Sequence, residues 1–554
     1  MAYPGRTRIL LLLTLCVPTL LHAQGGRGRG AAAAAAQGQP AATPNTGRGA
    51  PAATAPTGGL DFFNFDPSAS NAPAIPDSPP AESHQKISVG ADSLAYTARA
   101  GYLPLRNATS GQTEAHIFYT SYSKDGGPES AARPVVFFVG GAPGVSAAWQ
   151  EFGGFGPKRM KWASDGTAGL PPYTWTDNPQ TLLTQADLVF ANPVGTGYSR
   201  ADSPSRAPSF WNTTTDTASL AEFVRSYLNT YNRRNSAIFV AAEDNGTARA
   251  AALAVYLQDH QIPIHGVILL SLSATADATA GDTQYLTLFP SLVMSAWHHK
   301  KLAPELNAMT AEQISGQARQ FASREYLHAL YKGDRMTADE RTKAIANFSR
   351  LTGLSKAFIA SNNLRVPFDR FTSELMREQH LGLSPSDARV AGFVPPNAGG
   401  RGGGGGGGGR GGFAPPAPMD FNLNALSGGL QGAYEAYLHR ELNFTGTGIF
   451  YLNNGGVSNF TATGADDASL SAALARDPKL RVFAAVNFFD LKAPFYATEY
   501  TLAHLNISPA ARSGNLTISH YEAGQLAYVD AKALAKLQSD LGRFLNEAST
   551  PARK

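Results

Sequence analysis

The chain of 554 residues contains one cysteine, Cys16. It lies in the apolar run ILLLLTLCVPTLL, behind Arg6 and Arg8 and ahead of LHAQ, the plan of a secretory leader cleaved after Ala23. The mature chain is then expected to carry neither thiol nor disulfide, and to have a core large enough to do without such staples. Leu15 departs from the small residue that a lipoprotein needs before its cysteine. The run is also too short and wrongly flanked for a membrane anchor, so no integral membrane span is expected. Charge is scarce as well: Lys and Arg number 46 against 42 Asp and Glu, for a net +4. Arg27, Arg29, Arg48, Arg401 and Arg410 sit in low-complexity sequence, and Arg6 and Arg8 leave with the leader, so the folded part is close to neutral. No basic stripe with interleaved aromatics is present, and nucleic acid is not an expected partner. No His or Cys cluster has metal-ligand spacing, so neither a metal nor another cofactor is expected.

What is present falls into blocks. Residues 1–23 are the leader, and 24–82, rich in Gly, Ala, Pro and Gln, cannot bury enough apolar surface to order a chain and read as a linker. The same holds for the Gly-rich loop 395–418, with GGRGGGGGGGGRGG at its centre. From residue 83 to 280 the pattern is globular. ISVGADSLAYTARAGYL and EAHIFYTSYS alternate like antiparallel strands, RPVVFFVGG is a buried strand, and SLAEFVRSYLNTY is an amphipathic helix. The succession IFVAA, ARAAALAVYLQ, HGVILLSLS, strand then helix then strand, indicates an α/β fold with a mostly parallel central sheet flanked by helices. Residues 281–440 change to helices without a clear strand and read as a helical cap or insertion. The sheet resumes within 441–554, at KLRVFAAVNFFD and LTISHYEAGQ.

The stretch VAAEDNGTARAA carries the functional question. An apolar strand runs into a tight turn and an Ala-rich helix, the strand-turn-helix geometry of the nucleophile elbow in the α/β-hydrolase fold. Together with TARAGYLPLR, GGAPGVSAAW, FGPKR, DLVFANPVGTGYSR, FWNTTTDTASLAEFV, GDRMTADERTKA, NFFDLKAPFYATEYTLAHL and HYEAGQLAYV, it resembles the serine carboxypeptidase family, in particular its bacterial branch. The resemblance runs from about residue 83 to 546 and implies an α/β-hydrolase fold with a triad of Ser, Asp and His. At the elbow, usually Gly-Glu-Ser-Tyr-Gly, this chain has Ala242, Glu243, Asp244, Asn245 and Gly246. The triad carboxylate of a motif like YYDLATPF corresponds to Asp490. The base of a motif like YYEAGHMMY corresponds to Gln525. In the loop typically Asn-Gly-Gly-Pro-Gly-Ser-Ser, Gly140 stands where an asparagine would help hold a substrate carboxylate. The resemblance also implies Glu243 as a substrate-carboxylate ligand, with a structural hydrogen bond as the alternative, and Gly141 and Asn245 as main-chain oxyanion donors.

The substitutions decide the chemistry that is expected. The triad histidine takes and returns the serine proton, and glutamine has no basic nitrogen near neutral pH. With nucleophile and base both replaced, the serine carboxypeptidase mechanism is unavailable. An aspartate at the elbow can act as a nucleophile in other α/β-hydrolases, but its ester still needs a base to activate water. His520 is the sequence candidate for a relocated base, although the pattern places it on a strand. Ser146 is a weaker candidate nucleophile. His298 and His299 either line a pocket or cap a solvated helix end. Asn107, Asn212, Asn245, Asn347, Asn443, Asn459 and Asn515 open N-x-[ST] triplets, a short pattern of little weight. Asp244 is further expected to sit in a strained turn and to cap the following helix. Three functions remain open: a secreted, periplasmic pseudoenzyme whose cleft binds a peptide or small molecule, a hydrolase with altered chemistry at Asp244, and a serine-type carboxypeptidase as the family resemblance implies.

Overall fold

The computed structural model describes residue 75 and residues 78–126, 132–163, 166–394, 419–446, 448–460 and 466–550. The leader, most of the 24–82 linker and the 395–418 loop lie outside the described residues. The chain divides into the units Met1–Asn64 and Phe65–Lys554, and the described residues all belong to the second.

The strands of that unit are β1 (Ala81–Val89), β2 (Asp92–Arg106), β3 (Thr113–Lys124), β4 (Val135–Phe138), β5 (Lys158–Met160), β6 (Trp175–Asp177), β7 (Asp187–Ala191), β8 (Arg200–Ala201), β9 (Ile238–Glu243), β10 (Gly266–Leu270), β11 (Leu381–Leu383), β12 (Ala391–Phe393), β13 (Arg481–Asn487) and β14 (Leu516–Tyr521). The main sheet has the order β1-β2-β3-β7-β4-β9-β10-β13-β14, with β8 beside β3. β1, β2 and β3 are antiparallel to their neighbours, whereas every pairing from β7 to β14 is parallel.

The parallel strands are apolar throughout because both faces are covered. In β9, Phe239 and Ala241 enter the core on one face, while Ile238, Val240 and Ala242 enter the core on the other. β4 and β7 divide in the same way, Val136, Phe138, Leu188 and Phe190 against Val135, Phe137, Val189 and Ala191. A strand buried on both sides has no polar face to alternate with, and hence reads as a continuous apolar run.

Between β10 and β13 the chain forms mainly helices, including Thr283–His298, Ala311–Phe321 and Ala338–Thr352. The last two open on full capping boxes, Thr310 with Gln313 and Thr337 with Glu340. Their apolar faces form a third core that also takes in Val486, Phe488, Phe489, Leu491 and Phe495, from the end of β13 onward. This stretch, read as lacking a clear strand, does contain one short hairpin, β11–β12. Three-residue strands such as Leu-Gly-Leu are too short to show a period. The helix Phe421–Arg440 places Leu426, Leu430, Tyr434 and Tyr437 in the first sheet core rather than in the third cluster. Among the described residues no helix is long and apolar enough to cross a membrane.

Candidate functional site

β9 ends at Glu243, the helix Gly246–Asp259 begins shortly after it, and Asp244 occupies the turn between them. Its φ is +51°, a left-handed conformation that L-residues other than Asn and Asp adopt at a cost. The turn is tight because the loop after β4 crosses over the start of the helix. A Cβ on Gly246 would lie 2.3 Å from the Gly141 carbonyl oxygen. Arg249, one turn along the helix, is paired with buried Asp216 and donates from Nη1 to the carbonyls of Gly141 (2.8 Å) and Val139 (3.1 Å). Gly246 and Arg249 thus fix the Gly141 peptide beside the elbow.

Of the three triad-equivalent positions, Asp244 and Gln525 are joined by a hydrogen bond, while Asp490 bonds to neither. Gln525 Nε2 donates to Asp244 Oδ2 at 3.3 Å. The Gln525 main chain is pinned on both sides: its N–H donates to Ser386 O (2.7 Å), and its carbonyl accepts from Ser271 Oγ (3.2 Å) and Asn487 Nδ2 (3.3 Å). Asp490, fully buried, accepts the N–H groups of Lys492 (2.9 Å) and Ala493 (3.0 Å) on Oδ1. Its Oδ2 has no hydrogen-bond partner, and neither has Gln525 Oε1. In a working triad an imidazole stands between the carboxylate and the nucleophile. Here the elbow carboxylate is met by the Gln525 amide, and no imidazole bonds it among the described residues.

Burial shifts the acids strongly. Glu243 is pushed up to about 8, first by burial, with a hydrogen bond from Tyr528 Oη (2.7 Å) opposing and the charges of Asp244 and Asp490 adding to the rise. Asp490 is pushed up to about 7 by burial and by Asp244, against the two main-chain donors and Lys492. Asp244 is raised by burial, opposed by the Lys492 cation, the Asn245 N–H, Ser273 and Gln525. The three acids therefore do not carry three charges at neutral pH.

The other candidates are separated from this centre or differently employed. His520 lies on β14, as its pattern indicates, and its Nε2 is held by Glu499 Oε1 (2.5 Å) and Arg319 Nη2 (3.1 Å). Among the described residues no histidine hydrogen-bonds Asp244. Ser146 is fully buried, and its Oγ donates to Asn192 Oδ1 at 2.6 Å while accepting from the Ala148 N–H at 3.0 Å, a loop-bracing role. Asp244 does not cap the helix as expected. The N-cap is Asn245, which makes no side-chain cap bond, and the Asp244 carboxylate faces Gln525 and Ser273 instead. Gly140 has φ +78°, and a Cβ there would lie 2.7 Å from Val145 O, so the loop has no room for an asparagine at that position. His299 is tied by Nε2 to Ala388 O (2.7 Å), and His298 stands at the rim of two cavities. Those cavities, of about 850 and 880 Å³, are lined by none of Asp244, Asp490 or Gln525.

Sequence reasoning missed Lys492, Arg249, Ser273 and Tyr528. Lys492 had a visible signal, since it replaces the alanine of a motif like DLATPF. Tyr528 had one too, as the tyrosine that closes the motif HYEAGQLAY. Ser273 had none, because it is brought to the elbow only by the packing of distant segments.

The serine carboxypeptidase family model matches residues 90–359, a span that includes the 140–146 loop and the elbow but neither Asp490 nor Gln525. No curated protein matches the chain. Among solved structures, a prohormone-processing carboxypeptidase from Saccharomyces cerevisiae is similar at 12% identity and a TM-score of 0.51, over 81% of this chain and 91% of that one. A proline iminopeptidase from Mycobacterium smegmatis is similar at 11% identity and a TM-score of 0.31, over 84% and 99% of the two chains. The sheet order and the enclosing helices are those of an α/β-hydrolase fold.

Proposed function

We propose that this serine carboxypeptidase-like chain is a secreted, periplasmic binding protein whose triad-equivalent site takes a ligand without hydrolysing it. The observation that supports this reading is the contact between Gln525 Nε2 and Asp244 Oδ2. Nucleophile and base positions are joined by a hydrogen bond that can neither generate an alkoxide nor protonate a leaving amine. The carboxyl groups of Asp244, Glu243 and Asp490 disfavour the carboxylate end of a peptide, so the site prefers neutral or cationic ligands, increasingly as pH rises past the pKa values of Asp490 and Glu243. Export rests on the leader reading of residues 1–23. The purified mature chain is expected to release no C-terminal residue from a peptide library and to resist a fluorophosphonate probe. Stoichiometric labelling that disappears on changing one serine would sink the proposal.

A second reading, an altered hydrolase with Asp244 as nucleophile, is favoured by one feature. Asp490 has a free Oδ2 and a pKa of about 7, suited to a general base. Its distinguishing sign would be one ¹⁸O atom incorporated into Asp244 from labelled water during turnover of an ester, and the absence of that label leaves the binding role standing.

A further inference from the structure

Away from the elbow, the wall formed by β5, β6 and the start of the helix Ala531–Ser549 encloses a cavity of about 880 Å³. Arg159, at the middle of β5, lines it. This guanidinium is only partly exposed and has no hydrogen-bond or ion partner among the described residues. Burial lowers its pKa, with no acid acting in the opposite direction. An arginine gives up part of its hydration for nothing in such a position unless an anion answers it. A second donor on the same wall is also unsatisfied: Trp162 Nε1 is buried without an acceptor.

Among the described residues, the acids around the cavity do not supply the missing charge. Asp177 accepts from Lys158 Nζ (2.6 Å) and the Ser88 N–H (3.0 Å). Asp387 is bound by Arg389 (2.7 Å). Asp530 accepts from Arg389 and from the first amides of its own helix. Lys161 and Lys532 line the cavity too, exposed and without an ion pair among the described residues, and add to the positive field. Met160, Leu426, Leu526 and Val529 give the cavity an apolar stretch of wall, beside polar residues that include Thr176, Gln180 and Asn422.

We propose that this cavity binds an organic oxyanion, a carboxylate or phosphate group on an apolar body, with Arg159 as the charge partner. A planar guanidinium offers two parallel N–H donors to such a head group, and the apolar wall takes the body. The site is independent of Asp244, so it stands or falls apart from the reading of the elbow.

The test is titration of the full mature chain with hexanoate, hexyl phosphate, hexanamide and inorganic phosphate, followed by ligand-observed NMR. At least one of the two alkyl anions is expected to bind saturably, and which one does identifies the head group. Hexanamide and the Arg159→Gln variant with that anion should each be weaker by about tenfold or more, the scale of a lost charge-assisted hydrogen bond. Inorganic phosphate should bind weakly for want of the apolar body. Asp244→Asn should leave all of this unchanged. Arg159→Gln should melt no lower than the parent, since it removes an unanswered charge. If it fails to fold, Arg159→Lys, which keeps the charge but loses the fork, should still weaken the alkyl anion several-fold. Saturable binding of neither alkyl anion, equal binding of hexanamide, or undiminished binding in the arginine variants overturns the proposal.

Discussion

Asp490→Asn tests the electrostatics of the site directly. The aspartate is fully buried, its Oδ1 satisfied by two main-chain N–H groups and its Oδ2 by none. Asparagine can keep both Oδ1 contacts and places an amide nitrogen where the unpartnered oxygen was. Moving the pKa from 3.8 to about 7 means that the fold disfavours the charged form. Each pKa unit is worth about 1.4 kcal/mol, so the full shift corresponds to about 4 kcal/mol. The sign follows from proton binding. Below pH 3.8 the aspartic acid is protonated in both folded and unfolded chains and the difference vanishes. As pH rises from 3.8 to about 7 the unfolded chain releases its proton first, and the parent loses stability. Urea melts across that range should therefore show variant and parent nearly equal at the acid end and diverging in favour of Asp490→Asn, by up to about 4 kcal/mol above neutrality. Parallel curves, or a variant less stable than the parent at the alkaline end, would refute the claim that Asp490 is held against its charge.

Other outcomes rest on the same geometry. Asp244→Ser alone and Gln525→His alone should give no measurable peptide hydrolysis, while the double variant, whose position 525 keeps its pinned main chain, should give a trace; substantial turnover from either single change would contradict the joint loss. Gly246→Ala should lower stability in urea melts by about 1–3 kcal/mol, because its Cβ would have to displace the Gly141 carbonyl from 2.3 Å. Asp244→Asn keeps a residue type that tolerates φ +51° and removes a disfavoured charge, so its thermal midpoint at alkaline pH should equal or exceed the parent's. Calorimetric titration with butylammonium should give an affinity that rises as Asp490 and Glu243 ionise, near pH 7 and 8. A pH-independent affinity would remove the carboxyl cluster from the binding site.

How much of the molecule is legible in its sequence depends on whether the information is local. Continuous apolar strands alternating with helices imply a two-sided parallel sheet, because only coverage of both faces makes such strands stable; IFVAA and RPVVFF announce β9 and β4 in this way. The same holds for the elbow, where a small-residue turn between strand and helix puts Asp244 at a strained apex. Chemistry that rests on residue type is legible too, since a glutamine lacks a basic nitrogen wherever it sits. What the tertiary structure alone decided is distance and solvent. Gln525 reaches Asp244 only because the loop after β14 is pinned by Ser386, Ser271 and Asn487, from three separate segments. The asparagine missing at 140 is sterically barred, a fact set by φ and by the Val145 carbonyl. The shifted acids and the unanswered charge of Arg159 arise from burial, a property of the packed whole that no local pattern encodes.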